Sequence, residues 1–360
     1  MRADAHDGFE VDARRCIRCG ACALLCPGVF AMAQDAARVA RQPRDGGERR
    51  LARVALLNCP TSSIRTRAAT AAADEAVDDS RGSSGLYDEL ARISEQVRWR
   101  LADVGWGRLA PDRAPPWLRL LVREMAFSEH ATYSATQRFM QSFGDDLEFT
   151  SWLSVWFYEE TRHPHVLVSW LRRLGAAPAD EQEFAARGRI STPFMKSKTG
   201  TLVTNVVSEV TAAAAYQTLA RTAGEPVLAE IAASISGDEA RHGSSFFRFA
   251  LRRVESASDP GRERLDALKV LHFWLNEMQQ VTHPVNQMLE RLRNDHSGEA
   301  ALSSLSFDFG AVRSRVTRMV GLLIDLPLQA PDHVLPALKQ MTEEAHGRRQ
   351  DADAPGGGRE

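Results

Sequence analysis

The run Cys16-Ile-Arg-Cys19-Gly-Ala-Cys22-Ala-Leu-Leu-Cys26-Pro27 and a later Cys59 account for all five thiols of the 360-residue chain. Thiols two residues apart can wrap a short loop around a metal or iron–sulfur centre. Zinc is an alternative occupant, since C-x2-C pairs serve both. A disulfide framework suits neither the tight spacing around Gly20 nor an odd cysteine count. Farther on, Glu160-Thr-Arg-His163 and Glu239-Ala-Arg-His242 each place a carboxylate and an imidazole three residues apart. On a helix those positions share a face, so each pair can present both groups to one cation. The tetrapeptide alone is weak evidence: 24 glutamates and 10 histidines in 360 positions give roughly 0.7 chance matches. A third match, Glu343-Glu-Ala-His346, lies in a polar stretch before Pro355-Gly-Gly-Gly and reads as a solvated helix end.

Two sets of elements must position these residues. Amphipathic stretches run over Leu118–Phe143, Phe149–Leu174, Thr199–Thr222 and Glu225–Val254, with Gly144, Gly175, Pro178, Pro193 and Gly224 between them, which predicts helices. Glu129 precedes Glu160 by 31 residues and Glu209 precedes Glu239 by 30. That separation suits two helical hairpins whose arms meet at mid-height. Di-iron carboxylate bundles take a glutamate from each of two helices and Glu-x-x-His from each of the other two. Glu209 is the only charge between Thr201 and Ala220, so it must be paired, protonated or metal-bound. Glu124 competes with Glu129, but five residues along a helix points it elsewhere.

The cysteine segment is predicted to be small and mixed, with short strands at Arg38-Val39-Ala40 and Arg53-Val54-Ala55-Leu56. It carries 12 arginines against 7 acids over residues 1–67, a net of +5 that leaves −7 on the remainder of a chain whose total is −2. No global field exists to hold nucleic acid or an anionic membrane. With no run of apolar residues long enough to span a bilayer, the expectation is a cytoplasmic protein. The stretch 68–85 lacks apolar periodicity and reads as a flexible linker that keeps a basic module near its partner. The expected organisation is therefore a small α+β domain over 1–67, the linker, a helical domain over 86–346, and a disordered tail over 347–360.

The first segment resembles a single-cluster ferredoxin, from about Phe9 to Thr66, through the cysteine spacing, Pro27-Gly28-Val29-Phe30 and Asn58-Cys59-Pro60-Thr61. The resemblance implies a [4Fe–4S] cluster on Cys16, Cys19, Cys22 and Cys59. Cys26 is left as a small buried thiol, because in two-cluster relatives the fourth cysteine of such a run serves the other cluster. The second segment, about Leu86 to Leu292, resembles soluble acyl-carrier-protein desaturases. The resemblance is carried by Trp152-Leu-Ser-Val-Trp156-Phe-Tyr-Glu159-Glu160-Thr-Arg162-His163, Gly237-Asp238-Glu239-Ala-Arg241-His242, Met125 to Tyr133, Ser208-Glu209-Val-Thr and Thr282-His-Pro284-Val-Asn. It implies a ferritin-like all-α bundle and two iron ions on Glu129, Glu160, His163, Glu209, Glu239 and His242. It also implies supporting roles for Asp238 and Trp156, dioxygen as co-substrate, an acyl carrier protein as partner and a homodimer. Two departures stand out. The plant enzymes have a threonine three residues after the third-helix glutamate, where this chain has Ala212, with Thr211 one step earlier as the candidate for that catalytic place, and they take electrons from a separate protein.

The reading preferred from these features is an oxygen-dependent desaturase or hydroxylase with its electron donor built in. No Gly-x-Gly-x-x-Gly follows a predicted strand, so NAD(P)H would be oxidised by an external reductase. The competing readings are a ferritin- or rubrerythrin-like protein oxidising iron or reducing peroxide, and a redox sensor with a regulatory cluster.

Overall fold

The computed structural model describes residues 7–68, 85–187, 197–278, 284–295 and 307–353. Nearly all of the predicted linker, and Thr282 and His283, lie outside these segments.

The N-terminal module opens on β1 (Asp7–Val11), which pairs antiparallel with β4 (Ile64–Ala68), Phe9 facing Thr66. Between them come α1 (Ala21–Leu25), the hairpin of β2 (Phe30–Met32) and β3 (Ala37–Val39), and α2 (Gly46–Asn58). Phe9 and Phe30 meet edge to face at 6.2 Å over a core of Leu24, Leu25, Val29 and Val54. The strand expected at Arg53–Leu56 is instead the last part of α2. Asp45 caps that helix by accepting the Glu48 N–H at 2.8 Å. The cap and the buried helical spacing of Ala52, Ala55 and Asn58 outweigh the β-leaning of one valine.

The remainder is helical, as expected: α3 (Leu86–Val97), α4 (Pro116–Glu129), α5 (Ala131–Ser142), α6 (Leu147–Arg173), α7 (Glu181–Arg187), α8 (Lys198–Thr222), α9 (Pro226–Ser256), α10 (Pro260–Asn276), α11 (Pro284–Asn294), α12 (Phe309–Ile324) and α13 (Val334–Asp353). No helix among the described residues is long and apolar enough to cross a membrane. The predicted helix over Leu118–Phe143 divides after Glu129. His130 turns its Nδ1 back to the Ala126 carbonyl at 2.7 Å, and its N–H bonds Phe127 O. The C-terminal helix is described as far as Asp353, and residues 354–360 of the predicted tail lie outside the described segments.

Helices α8 and α9 form a long antiparallel hairpin turned at Gly224 (φ +71°), a left-handed position that costs glycine little. Glu225 caps α9 through the Val227 and Leu228 N–H groups and accepts Trp170 Nε1–H at 2.7 Å, tying the turn to α6. One apolar cluster includes Trp152, Trp156, Val207 and Phe246; another includes Trp170, Tyr216, Leu219 and Ile231. The charged residues at the middle of these helices lie between the two.

The N-terminal module is docked on the bundle, not merely tethered to it. Helix α1 lies on α9 and α2 on α12. Asn58, 1% exposed, donates to both Ala240 O and Ser244 Oγ at 2.7 Å. Arg248 donates to Leu24 O at 3.0 Å and pairs with Glu89 at 2.7 Å. Leu24, Leu25, Leu90 and Ile93 belong to the same core as Trp152 and Phe246.

Candidate metal and cluster sites

Glu160 and His163 sit on α6 and Glu239 and His242 on α9, each pair one turn apart. Glu209 comes from the middle of α8, and Glu129 is the last residue of α4. All six converge. Ligand atoms of Glu129, Glu160, His163 and Glu239 lie within 4.8 Å of one another, as do those of Glu160, Glu209, Glu239 and His242. Glu160 and Glu239 belong to both groups, so the site is two overlapping quartets bridged by two carboxylates.

The imidazoles are oriented for coordination. His163 Nδ1 stands 3.5 Å from Glu129, 3.8 Å from Glu160 and 3.4 Å from Glu239. His242 Nδ1 stands 2.8 Å from Glu160, 3.9 Å from Glu209 and 3.6 Å from Glu239. Both Nδ1 atoms and Glu160 Oε1 are buried, and none makes a well-directed hydrogen bond, although His242 Nδ1 and Glu160 Oε1 approach to 2.8 Å. Buried polar atoms left so are costly unless a cation takes them. The far nitrogens are tied: His163 Nε2–H donates to Asp238 at 3.2 Å and His242 Nε2–H to Glu159 at 3.0 Å. A carboxylate on the outer nitrogen fixes the tautomer that offers Nδ1 to a metal.

Outside the ligands, Arg98, Arg162 and Arg241 neutralise Asp238 and Glu159. Burial works to raise Glu159, but Arg241 and His242 outweigh it and hold its carboxyl at about 2. Glu209 moves the other way, pushed well above the usual range by burial and then by Glu239 and Glu160. A carboxylate cluster of this density has to be offset by cations. Trp99 Nε1–H donates to Asp238 at 2.8 Å, Thr132 Oγ1–H to Glu160 at 3.0 Å, and the Tyr216 hydroxyl to Glu129.

Asp238 and Trp156 both contact the converging residues, Asp238 through His163 and the buried Trp156 as a donor to Glu209 at 3.3 Å. The hydroxyl of Thr211, the expected catalytic residue, returns instead to Val207 O on its own helix at 2.7 Å, and Ala212, one step on, faces the cavity. Glu124 is fully buried but pairs with Arg123 and Arg187, away from the quartets. Glu343 and His346 lie on α13 outside both quartets. Glu159, Arg241, Trp99 and Thr132 were missed. Glu159 had a signal, since it precedes Glu160 as Asp238 precedes Glu239. Trp99 and Thr132 come from segments with no motif.

A cavity of about 150 Å³ opens onto Glu129, Glu160, Glu209 and Glu239, and its walls include Ala135, Phe139, Trp156, Ala212 and Trp274. Most of the surface that lines it is apolar, although Arg138, Thr204, Asn205 and Ser208 also border it.

In the N-terminal module, Cys16, Cys19, Cys22 and Cys59 line one cavity; Cys26 does not. Cys26 is 2% exposed and directs its thiol to Glu48 O at 3.6 Å. Cys16 Sγ accepts the Ala37 N–H at 3.4 Å and Cys59 Sγ the Ser63 N–H at 3.2 Å, contacts that favour sulfur carrying negative charge. Burial, then the neighbouring Cys59, pushes the Cys19 thiol up to about 12. Thiolates here call for a metal centre to hold them.

Residues 11–66 match the family described as the 4Fe-4S single cluster domain of Ferredoxin I, and residues 120–295 match the family described as Fatty acid desaturase. A comparison with curated proteins finds no match.

Proposed function

From a chain that joins a single-cluster 4Fe–4S ferredoxin domain to a fatty acid desaturase domain, we propose an oxygen-dependent di-iron oxidoreductase that desaturates or hydroxylates an acyl chain held on an acyl carrier protein. Its own ferredoxin domain supplies the electrons. The observation that carries this reading is the pair of quartets sharing Glu160 and Glu239, with an apolar cavity opening onto them.

Glu129, Glu160, His163 and Glu239 would hold one iron, and Glu160, Glu209, Glu239 and His242 the other. Four carboxylates balance two divalent cations, and neutral imidazoles add no charge. The iron pair supplies the reduction of dioxygen and the oxidising power to remove hydrogen from an unactivated carbon. For desaturation, one dioxygen, two electrons, two protons and the two hydrogens leaving the chain end as two waters. Around that chemistry, Asp238 and Glu159 fix the imidazoles. The Thr132 hydroxyl holds a proton at Glu160 Oε2, and Tyr216 holds one at Glu129 Oε1. Ala135, Phe139, Trp156 and Trp274 exclude bulk water and seat an alkyl segment. Cys16, Cys19, Cys22 and Cys59 would hold a [4Fe–4S] cluster, which would supply electrons singly, two for each turnover, with an external NAD(P)H-dependent reductase behind it.

The test is single turnover. Iron- and cluster-loaded protein is reduced anaerobically, mixed with dioxygen and a panel of acyl-carrier substrates, and followed by mass spectrometry. Loss of two hydrogens or gain of one oxygen is expected. Oxygen consumption with every acyl group unchanged would leave a protein that oxidises iron or reduces peroxide.

A further inference from the structure

The two candidate redox sites meet through one short stretch of α9. The Cys19 side chain rests on Gly237 so closely that a Cβ added there would lie 3.2 Å from Cys19 Cβ. One turn on, Arg241 donates from Nη1 to the Cys19 carbonyl at 3.1 Å. From Nη2 it reaches Glu159 at 3.2 Å and also Asp238. Those two carboxylates receive the outer protons of His242 and His163. Arg241 is 2% exposed, and Asp238 is fully buried. Cys19 is thus joined to both histidines through one guanidinium and two carboxylates, in a dry and close-packed part of the molecule.

We propose that the Gly237–Arg241 turn is the junction through which electrons cross from the cysteine site to the carboxylate–histidine site, with Arg241 as its positioning residue. The inference rests on the built-in donor reading and adds where the crossing occurs. In each crossing the reduced cluster loses one electron and one ferric ion becomes ferrous. A second crossing, after the external reductase has re-reduced the cluster, completes the diferrous pair. Tunnelling falls off exponentially with separation and is weakened by gaps in packing, so glycine at 237 has a purpose here. A side chain there would crowd Cys19 and push it back from α9, and sub-ångström positioning is what a rigid helix can hold. Arg241 bridges the gap and also places positive charge beside the cysteine loop, favouring its reduced form.

The experiment loads the full chain with both metal centres. Under anaerobic conditions the cluster is photoreduced in protein whose iron pair is ferric. Loss of the reduced-cluster signal and growth of the ferrous signal are then followed by absorbance and electron paramagnetic resonance. Variants are Gly237→Val, Arg241→Met and Arg241→Lys, with Arg108→Ala as a control that removes an exposed ion pair to Glu230 away from the cysteine module. Iron and sulfide contents and the circular dichroism spectrum qualify each protein, and Gly237→Val carries the test if Arg241→Met does not fold. Wild type and Arg108→Ala should cross at the same rate. Gly237→Val and Arg241→Met should cross measurably more slowly than wild type, with Arg241→Lys partly restored and the cluster potential lowered in Arg241→Met. Crossing at the wild-type rate in Gly237→Val and Arg241→Met would overturn the junction while leaving a built-in donor that uses another route. No crossing in wild type would instead defeat the built-in donor itself.

Discussion

Glu159 of α6 accepts the outer proton of His242 of α9 at 3.0 Å, and the relation is returned by Asp238 of α9 toward His163 of α6. Each helix therefore carries both a histidine and the carboxylate that orients the other helix's histidine. Removing the charge of either carboxylate should weaken the site without emptying it of ligands. Glu159→Gln and Asp238→Asn are each expected to lower iron affinity about 10–100-fold, with helical content unchanged. Titration of iron into the metal-free protein, followed by absorbance, measures this. Equal affinity in wild type and both variants would show that the histidines are held by packing alone.

Cysteine roles separate on substitution. Cys59→Ala should lose the cluster irons and acid-labile sulfide while the bundle keeps its two irons, because Cys59 lines the cysteine cavity. Cys26→Ala should keep both. Iron and sulfide analysis of the two proteins decides, and the reverse pattern would give the fourth-ligand role to Cys26.

A cut within residues 69–84 should not free the N-terminal module. Its α1 and α2 pack on α9 and α12, and Asn58 is buried against Ala240 and Ser244, so the two pieces should co-elute in size-exclusion chromatography. Asn58→Leu should loosen them, costing about 1–3 kcal/mol of association. Pieces that separate on dilution in wild type would restore the tether expected from sequence.

Acid should loosen the module through Glu48. Hydrogen bonding to Arg41, at 2.5 and 2.7 Å, pulls its carboxyl down to about 2 from the ordinary 4.5. A carboxyl depressed on folding adds stability that is complete above the ordinary value and lost as pH falls through the depressed one. The thermal midpoint of wild type should therefore fall more steeply than that of Glu48→Gln between about pH 4.5 and pH 2. Parallel curves would mean the ion pair contributes nothing to folding.

The six converging residues were legible because helices project their chemistry into sequence. Glu-x-x-His at one-turn spacing, a lone carboxylate in an apolar helix and two hairpins of matching length locate all six residues before any coordinates are known. What the sequence hid came from segments with no period. Trp99 lies just past the end of α3 and Thr132 just beyond the break at His130, so no spacing links them to Asp238 or Glu160. The error at Arg53–Leu56 was local: four residues were read without the Asp45 cap that decides them. The error at Thr211 was one of phase, since the helix turns Ala212 and not Thr211 toward the cavity. Docking of the module was invisible for another reason, because an interface between two folded surfaces leaves no periodic trace in either.

Glu129 differs from the other ligands in where its backbone ends. Glu160, Glu209 and Glu239 are each gripped by helix on both sides, whereas α4 stops at Glu129 and the chain restarts at Ala131. Of the six residues that would hold the proposed irons, five are set inside a helix and one at the end of one. Ferrous and ferric ions differ in size and charge, so were such a pair to cycle between them, Glu129 is the member whose backbone resists a shift least. The seam between α4 and α5 would then take up the change at one edge and spare the scaffold.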